Sequence, residues 1–386
     1  MNICVVCSDY PSKKSSTFSF VKQLVDEFAR QGHKCYVVSP FSITRYKCFT
    51  KKIDIHKFKS GGQVFLIRPN YLSFSMFRIG HFCPTNFFMK QALKKAFKLL
   101  PVIPDVIYAH FWTSAILAYE FAKENNIPLF VASGESSIYN SLNNNLFQNS
   151  FCDYISGVIC VSKKNKDESV KLGLVLDNKC TVLPNAIDRR KFYKMDKKEC
   201  RRIYGYPEKA FIIAFVGWFD NRKGVNRLSK AITKLDNPNI YSIFIGNGPE
   251  IPDCSNILFK GNVKHDEMCS ILNCANVFVL PTLAEGCCNA IIEAMACGLP
   301  IISSNMRFND EILDDECSIR INPNSVDDIA AAIFKLQNDS TLCEKMSKAS
   351  QKKASAFTID ERAKAIVCFM ETCIAKKEDA HADMVK

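Results

Sequence analysis

Apolar and polar positions alternate between two periods along the chain. Short aliphatic and β-branched runs at 3–7, 34–39, 64–67, 106–109, 129–132, 158–161 and 180–183 predict buried strands. Between them apolar residues fall three and four apart. Val21, Leu24, Val25 and Phe28 are one such set, and Gly32 follows where a helix C-terminus favours glycine. Similar helical patterns cover 86–99, 113–126 and 163–172. This alternation predicts a parallel sheet covered by helices.

The pattern resets after Pro184-Asn185-Ala186-Ile187-Asp188, where a charged stretch runs from 189 to 202. A second series then predicts strands at 212–216, 241–245, 257–259, 277–280, 300–303 and 318–321. Its helices fall at 224–235, 264–273, 288–297, 325–337 and 340–354, with a last amphipathic helix at 358–376. The expected fold class is therefore α/β, with two doubly wound Rossmann-like domains and a hinge near 184–200. Ligands of such sheets lie outside the carboxyl ends of the strands, so the site is expected in a cleft between the two domains.

Composition narrows this picture. The 386 residues are 47% hydrophobic and 23% charged, which excludes a largely disordered chain. The longest apolar run, 211–219, has 9 residues, half of the roughly 18 that span a bilayer. The first residues lack the basic and apolar regions of a signal peptide, so a cytoplasmic protein is expected. The 19 cysteines are odd in number and scattered through apolar segments, as reduced structural thiols are. Cys4 and Cys7 form a C-x-x-C, but in a strand residues three apart point to opposite faces.

The most specific chemistry lies in Pro281-Thr-Leu-Ala-Glu285-Gly286-Cys287-Cys288-Asn-Ala-Ile-Ile-Glu293-Ala-Met-Ala-Cys-Gly298-Leu-Pro300. A strand, a short loop and a helix N-terminus follow one another here, and the free N–H groups of such a terminus favour an anion. Glu293 falls inside an otherwise apolar helix, where a carboxylate needs a partner. Glu285 and Glu293 would be roughly 12 Å apart in continuous helix, wide for a glycoside hydrolase pair. In Gly217-Trp218-Phe-Asp-Asn-Arg222-Lys223-Gly224, two adjacent cations follow a strand, an arrangement suited to a diphosphate or to a solvated basic turn. Gly246-Asn247-Gly248-Pro249 follows the next strand, where glycines allow close approach of a ligand or simply a turn. There is no phosphate-loop, H-E-x-x-H or zinc-knuckle motif, and no acidic metal cluster, so no metal or cofactor is expected.

Taken together, these motifs resemble the retaining nucleotide-sugar glycosyltransferases of family 4, with the GT-B fold. The resemblance extends to Asp9-Tyr-Pro-Ser…Thr17-Phe18, Val161-Ser-Lys163 and Val182-Leu-Pro184-Asn185-Ala-Ile-Asp188…Phe192. It implies an acceptor-binding domain at 1–190, completed by a crossover helix and tail at 358–386, and a donor-binding domain at 191–357. It implies that Glu293 binds the nucleotide ribose and Glu285 the donor sugar or its loop. Lys223 with Arg222 would hold the diphosphate. Gly217, Gly246, Gly248, Gly286, Cys287, Cys288 and Val263 would line the donor. Two positions depart from the family pattern. Trp218 stands where an arginine is usual, and Ser133 where a histidine is usual, making Glu135 an additional acceptor-side candidate beside Thr17 and His110.

The expected reaction is transfer of a sugar from a UDP- or GDP-sugar substrate to a saccharide or lipid-linked saccharide, in cell-surface polysaccharide biosynthesis. A nucleotide-sugar 2-epimerase and a catalytically silent sugar-nucleotide-binding protein are the alternatives. The net charge of +12 does not indicate nucleic acid, because no reader motif accompanies it. Residues 1–195 hold 27 Lys or Arg against 13 Asp or Glu, whereas the remainder holds 24 against 26. The excess concentrates at 45–98, with 12 cations and only Asp54 opposing them. Phe49, Phe58, Phe65, Tyr71, Phe74, Phe77, Phe82, Phe87, Phe88 and Phe97 interleave with these cations. That pattern suits either docking on an anionic membrane, at the inner face of the plasma membrane, or a core helix with a solvated basic face.

Overall fold

The structure, a computed structural model, describes residues 1–12, 17–50, 53–74, 77, 80, 83–142 and 149–385. The chain forms two units. The first comprises Met1–Val161, Asn165–Leu183 and Ala363–Lys386, and the second Ser162–Lys164 and Pro184–Arg362.

Among the described residues ten strands belong to the first unit. They are β1 (Asn2–Val6), β2 (Lys34–Val38), β3 (Phe41–Ser42), β4 (Ile53–Lys57), β5 (Gln63–Ile67), β6 (Asn70–Tyr71), β7 (Val106–His110), β8 (Leu129–Ser133), β9 (Ile155–Cys160) and β10 (Cys180–Val182). Eight form one sheet in the order β10-β9-β8-β7-β1-β2-β5-β4, and β3 pairs with β6 separately. All neighbours in the large sheet are parallel except β4, which runs antiparallel to β5. The interior strands β1, β7 and β8 are almost wholly buried because helices cover both faces, which is why they read as unbroken apolar runs. The helix Ser19–Arg30 buries Val21, Leu24, Val25 and Phe28, the set its spacing predicts.

The terminal helix, Ile359–Val385, enters the first unit at Ala363. Its Phe369 ring lies over Gly157 of β9, where a Cβ would come within 2.9 Å of the ring, and stands edge-on to Phe130 of β8. β9 begins three residues before the apolar run at 158–161, and at Gly157 a strand residue without a side chain admits the helix.

The second unit contains β11 (Phe211–Val216), β12 (Ile240–Ile245), β13 (Ile257–Gly261), β14 (Val277–Leu280), β15 (Ile301–Ser304) and β16 (Ser318–Ile321). They form one parallel sheet in the order β13-β12-β11-β14-β15-β16. Its helices are capped as their sequences suggest, with Ser325 accepting from Asp328 N and Asp339 from Leu342 N. The charged stretch at 189–202, which overlaps the hinge expected near 184–200, contains the start of a helix, Lys197–Tyr204. Asp196 caps it by accepting from Glu199 N at 2.8 Å, and Gly205 ends it in the left-handed conformation.

All nineteen cysteines are free thiols. Cys4 and Cys7 are both buried, and burial pushes the Cys7 thiol up to about 12, so neither is primed for redox or metal chemistry. Among the described residues no helix is long and apolar enough to cross a membrane.

Candidate functional site

In the second sheet β11 and β14 are neighbours, and the connections leaving them run to opposite sides. Their carboxyl ends therefore flank a topological switch point, where open α/β sheets bind ligands. The two most informative motifs meet there. The loop after β11 carries Gly217 to Gly224, and the loop after β14 carries Pro281 to Cys288. Leu283 N donates to Arg222 O at 2.8 Å and Arg227 Nη2 to Pro281 O at 2.9 Å, tying the loops together.

One carboxylate oxygen gathers the charges. Glu285 Oε1 lies 2.6 Å from Lys223 Nζ and 2.8 Å from Arg222 Nη1, and accepts from Thr282 Oγ1 at 2.8 Å. Arg222 Nη1 also donates to Ala284 O at 2.9 Å. The Lys223 and Glu285 side chains are 11% and 12% exposed, whereas Arg222 keeps 37%. Burial works against the Lys223 charge, but Cys288 and Glu285 more than offset it and hold its pKa above the ordinary value. Asp220 Oδ1 accepts from Lys223 N at 2.8 Å and sets the turn. Trp218, 52% exposed, carries no charge into this cluster, and Arg222 supplies the guanidinium there.

The glycines after β12 serve the protein's own backbone. A Cβ at Gly246, with φ 141°, would lie 1.9 Å from Gly217 O, and one at Gly248 would lie 2.3 Å from Phe219 O. Phe219 N donates to Asn247 O at 2.7 Å. Gly246 and Gly248 thus let the two loops interlock, and shape the site through the Gly217 loop. Val263 follows β13, two strands from the switch point, and is half-buried.

Gly286, Cys287 and Cys288 are buried and lead into the helix Asn289–Ala296. Asn185 Nδ2 donates to Cys287 O at 3.1 Å and fixes this loop, a role its sequence position did not reveal. Cys288 caps the helix without a side-chain hydrogen bond to the first turn. Burial raises the pKa of both thiols, that of Cys287 to about 12, and the Lys223 charge opposes the rise at Cys288. Glu293 lies on the half-buried side of the helix, whose Ile291, Ile292, Ala294 and Met295 are buried. Among the described residues its carboxylate has no hydrogen-bond partner, and loss of solvation pushes its pKa up to about 7.

In the first sheet, β1 and β7 form the corresponding switch point. Thr17 is exposed in the turn before the helix Ser19–Arg30. His110 ends β7 and is buried, its ring 4.4 Å from that of Phe111 and 5.3 Å from that of Phe20. Glu135 is committed to the backbone. Its Oε1 accepts from Trp112 N at 2.8 Å, and its Oε2 from Gly134 N at 2.9 Å and Ser133 Oγ at 3.2 Å. It is therefore a buried brace between the ends of β7 and β8. Burial raises its pKa, with the backbone donors acting the other way. Glu135→Gln places an amide NH2 against one of these N–H donors, and should lower unfolding free energy by about 1–3 kcal/mol in denaturant titration.

The basic aromatic segment divides in two. In the helix Pro84–Phe97, Leu93 and Phe97 belong to the core, and Lys90 and Lys94 pair with Glu120. Phe49, Phe74, Phe77, Phe87 and Phe88 are exposed, Phe49 to 78%. Lys51, Lys52, Arg78 and Phe82 lie outside the described residues.

The family model described as Glycosyltransferase Family 4 matches residues 19–191, and that described as Glycosyl transferases group 1 matches 196–353. The chain is 28% identical over 259 residues to the putative teichuronic acid biosynthesis glycosyltransferase TuaC of Bacillus subtilis, covering 64% of this chain and 65% of that protein. It is 28% identical over 246 residues to the Escherichia coli UDP-Gal:alpha-D-GlcNAc-diphosphoundecaprenol alpha-1,3-galactosyltransferase, covering 59% of this chain and 60% of that one. The chain thus spans under two thirds of the length of these two relatives. It is 25% identical over 360 residues to a subunit of the human phosphatidylinositol N-acetylglucosaminyltransferase, covering 87% of this chain and 69% of that one. Among solved structures, sucrose-phosphate synthase from Thermosynechococcus elongatus superposes with a TM-score of 0.77 at 17% identity, over 97% of this chain and 99% of that chain. Anabaena HepE in complex with UDP and glucose gives 0.71 at 13%, over 96% and 100%. These likenesses identify the fold as GT-B.

Proposed function

Because the chain belongs to glycosyltransferase family 4, we propose that it transfers a sugar from a nucleoside-diphosphate sugar to a hydroxyl of a saccharide or lipid-linked saccharide. The proposed transfer retains the anomeric configuration and requires no metal. The observation that carries this reading is the meeting of Arg222, Lys223 and Glu285 at the switch point of the second sheet. The names of the relatives, all glycosyltransferases, favour transfer over the epimerase alternative.

In this reading the C1–oxygen bond to the diphosphate breaks as the acceptor oxygen bonds C1 on the same face. Negative charge grows on the departing diphosphate, and a diphosphate oxygen takes the acceptor proton. Lys223 and Arg222 stabilise the growing charge from fixed positions. Glu285, already on both cations, orients them and meets the donor sugar hydroxyls. The N–H groups around Gly286, Cys287 and Cys288 face the sugar–phosphate region, and Glu293 accepts from the ribose hydroxyls. The donor is a UDP- or GDP-sugar. A thermal-shift series with both nucleotides and their sugars tests donor binding, and proton NMR of the product anomeric centre tests retention. No stabilisation by any of them would remove the reading.

The relatives include a galactosyltransferase named for a diphosphoundecaprenol substrate and one named for teichuronic acid biosynthesis. They support a lipid-linked acceptor and a role in cell-surface polysaccharide synthesis. The exposed Phe74, Phe77, Phe87 and Phe88, with the described cations of residues 45–98, then form a surface that seats the protein peripherally on an anionic cytoplasmic membrane face. Co-sedimentation with phosphatidylglycerol vesicles should exceed that with phosphatidylcholine vesicles and fall with salt. Equal binding to both would exclude the docking surface.

A further inference from the structure

The switch point of the first sheet is occupied by an aromatic cluster built on strained backbone. The chain after β1 brings Phe18 and Phe20 to it, and β7 delivers His110 and Phe111. Phe18 is the hub, its ring 5.6 Å from Phe20, 5.8 Å from His110 and 5.7 Å from Phe111. His110 is buried beneath the rings, while the three phenylalanines remain half-buried.

Two of these phenylalanines sit where glycine would be easier. Phe18 has φ 61° and ψ 30°, in the left-handed region. Phe111 has φ 74° and ψ 155°, a region otherwise almost reserved for glycine. The surroundings hold Phe111 there. Its N–H donates to Ala132 O at 2.9 Å, its carbonyl accepts from Ser114 N at 3.1 Å, and the next N–H, of Trp112, is held by Glu135. A Cβ at Gly134 would come within 3.3 Å of the Phe111 ring, so residue 134 is shaped to make room for it. A glycine at 111 would make the same turn without strain. The ring is therefore what the strained turn retains.

We propose that the Phe111 ring, braced edge-on by Phe18 at an interplanar angle of 64°, is a stacking platform for one face of a pyranose ring, the acceptor sugar in the transferase reading on which this inference rests. The axial C–H groups of a pyranose carry slight positive charge and lie well against the negative face of an aromatic ring. A switch point at the carboxyl ends of β1 and β7 is where the sheet admits a ligand. Glu135 is a positioning residue that holds the Phe111 turn through Trp112.

Saturation-transfer NMR on the full chain tests this, with methyl β-D-glucoside and methyl N-acetyl-β-D-glucosaminide as probes. In these sugars H1, H3 and H5 line one face and H2 and H4 the other. Saturation should be confined mainly to one face in the wild type, and lost in Phe111→Gly and Phe18→Ala. Octyl phosphocholine, which has a tail and no sugar, should not displace the probes. Phe111→Gly should melt above Phe111→Ala, because glycine relieves the strain that alanine keeps. Both faces saturated equally, no saturation, displacement by octyl phosphocholine, or the one-face pattern surviving in Phe111→Gly would overturn the platform. The stabilisation of each variant by UDP and GDP is read alongside. If neither nucleotide stabilises the wild type, the transferase reading fails and the stacking result stands separately. If the variants keep that stabilisation and lose the sugar signal, the fold and donor site are intact and the platform is the part removed.

Discussion

Lys223→Ala is expected to lower kcat/KM for sugar transfer by about 10²–10³-fold, with only a small change in melting temperature. The size follows from the position of the ammonium. It is 11% exposed and 2.6 Å from Glu285 Oε1, so little solvent screens its field. The leaving diphosphate gains charge as the bond to C1 breaks, and a cation fixed beforehand stabilises that charge without reorganising. Arg222→Ala should cost less, because Arg222 is 37% exposed and its field is more screened. The loss should appear in kcat, since the interaction strengthens as the bond breaks. Stability should change little because Glu285 keeps Arg222 and Thr282 as partners after Lys223 is removed. Wild-type kcat in Lys223→Ala would remove this lysine from the reaction.

The element order was legible because most strands are buried on both faces and most helices on one. Phe211–Val216 and Val277–Leu280 read as strands from apolar residues alone. The edge strand Ile53–Lys57 did not, because four of its five residues are exposed and one is half-buried. The helix Lys197–Tyr204 hid behind its charge, burying only Cys200 and Arg201. Its Asp196-x-x-Glu199 start and Gly205 stop were nevertheless present as signals. The site was legible one motif at a time. The loops carrying Lys223 and Glu285 were each visible, but their meeting depends on β14 lying beside β11, which the order of strands along the chain does not state. The bracing role of Glu135 was hidden for a similar reason. Its partner Trp112 N is 23 residues away, and only the pairing of β7 with β8 brings the two together. Nothing in the composition marks Phe111, because the strain is a property of its backbone angles.

Glu293→Gln is expected to stabilise the free protein above neutral pH while it weakens nucleotide binding. In the folded chain the Glu293 carboxyl is pushed up to about 7 from 4.5 by loss of solvation. The native state therefore binds the proton more tightly than the unfolded chain does. On this group's account stability is highest below 4.5, falls as pH rises through the interval, and levels off above about 7. At pH near 8 the ionised carboxylate costs about 1–3 kcal/mol, the low end applying because the side chain keeps some water. Glutamine removes that cost, so the melting temperature of Glu293→Gln relative to wild type should climb between acid and mildly alkaline buffer. In the proposed function the ribose hydroxyls of a nucleotide sugar donate to the ionised form. Donor affinity in the wild type should therefore rise with pH through about 7 and stay flat in Glu293→Gln, because the bridging diphosphate does not titrate there. The two effects share one cause. A carboxylate without a protein partner among the described residues destabilises the empty site, and in the proposed function the arriving hydroxyl groups satisfy it. Parallel melting curves for the two proteins across this pH range, together with a pH-independent wild-type donor affinity, would show that Glu293 is not that group.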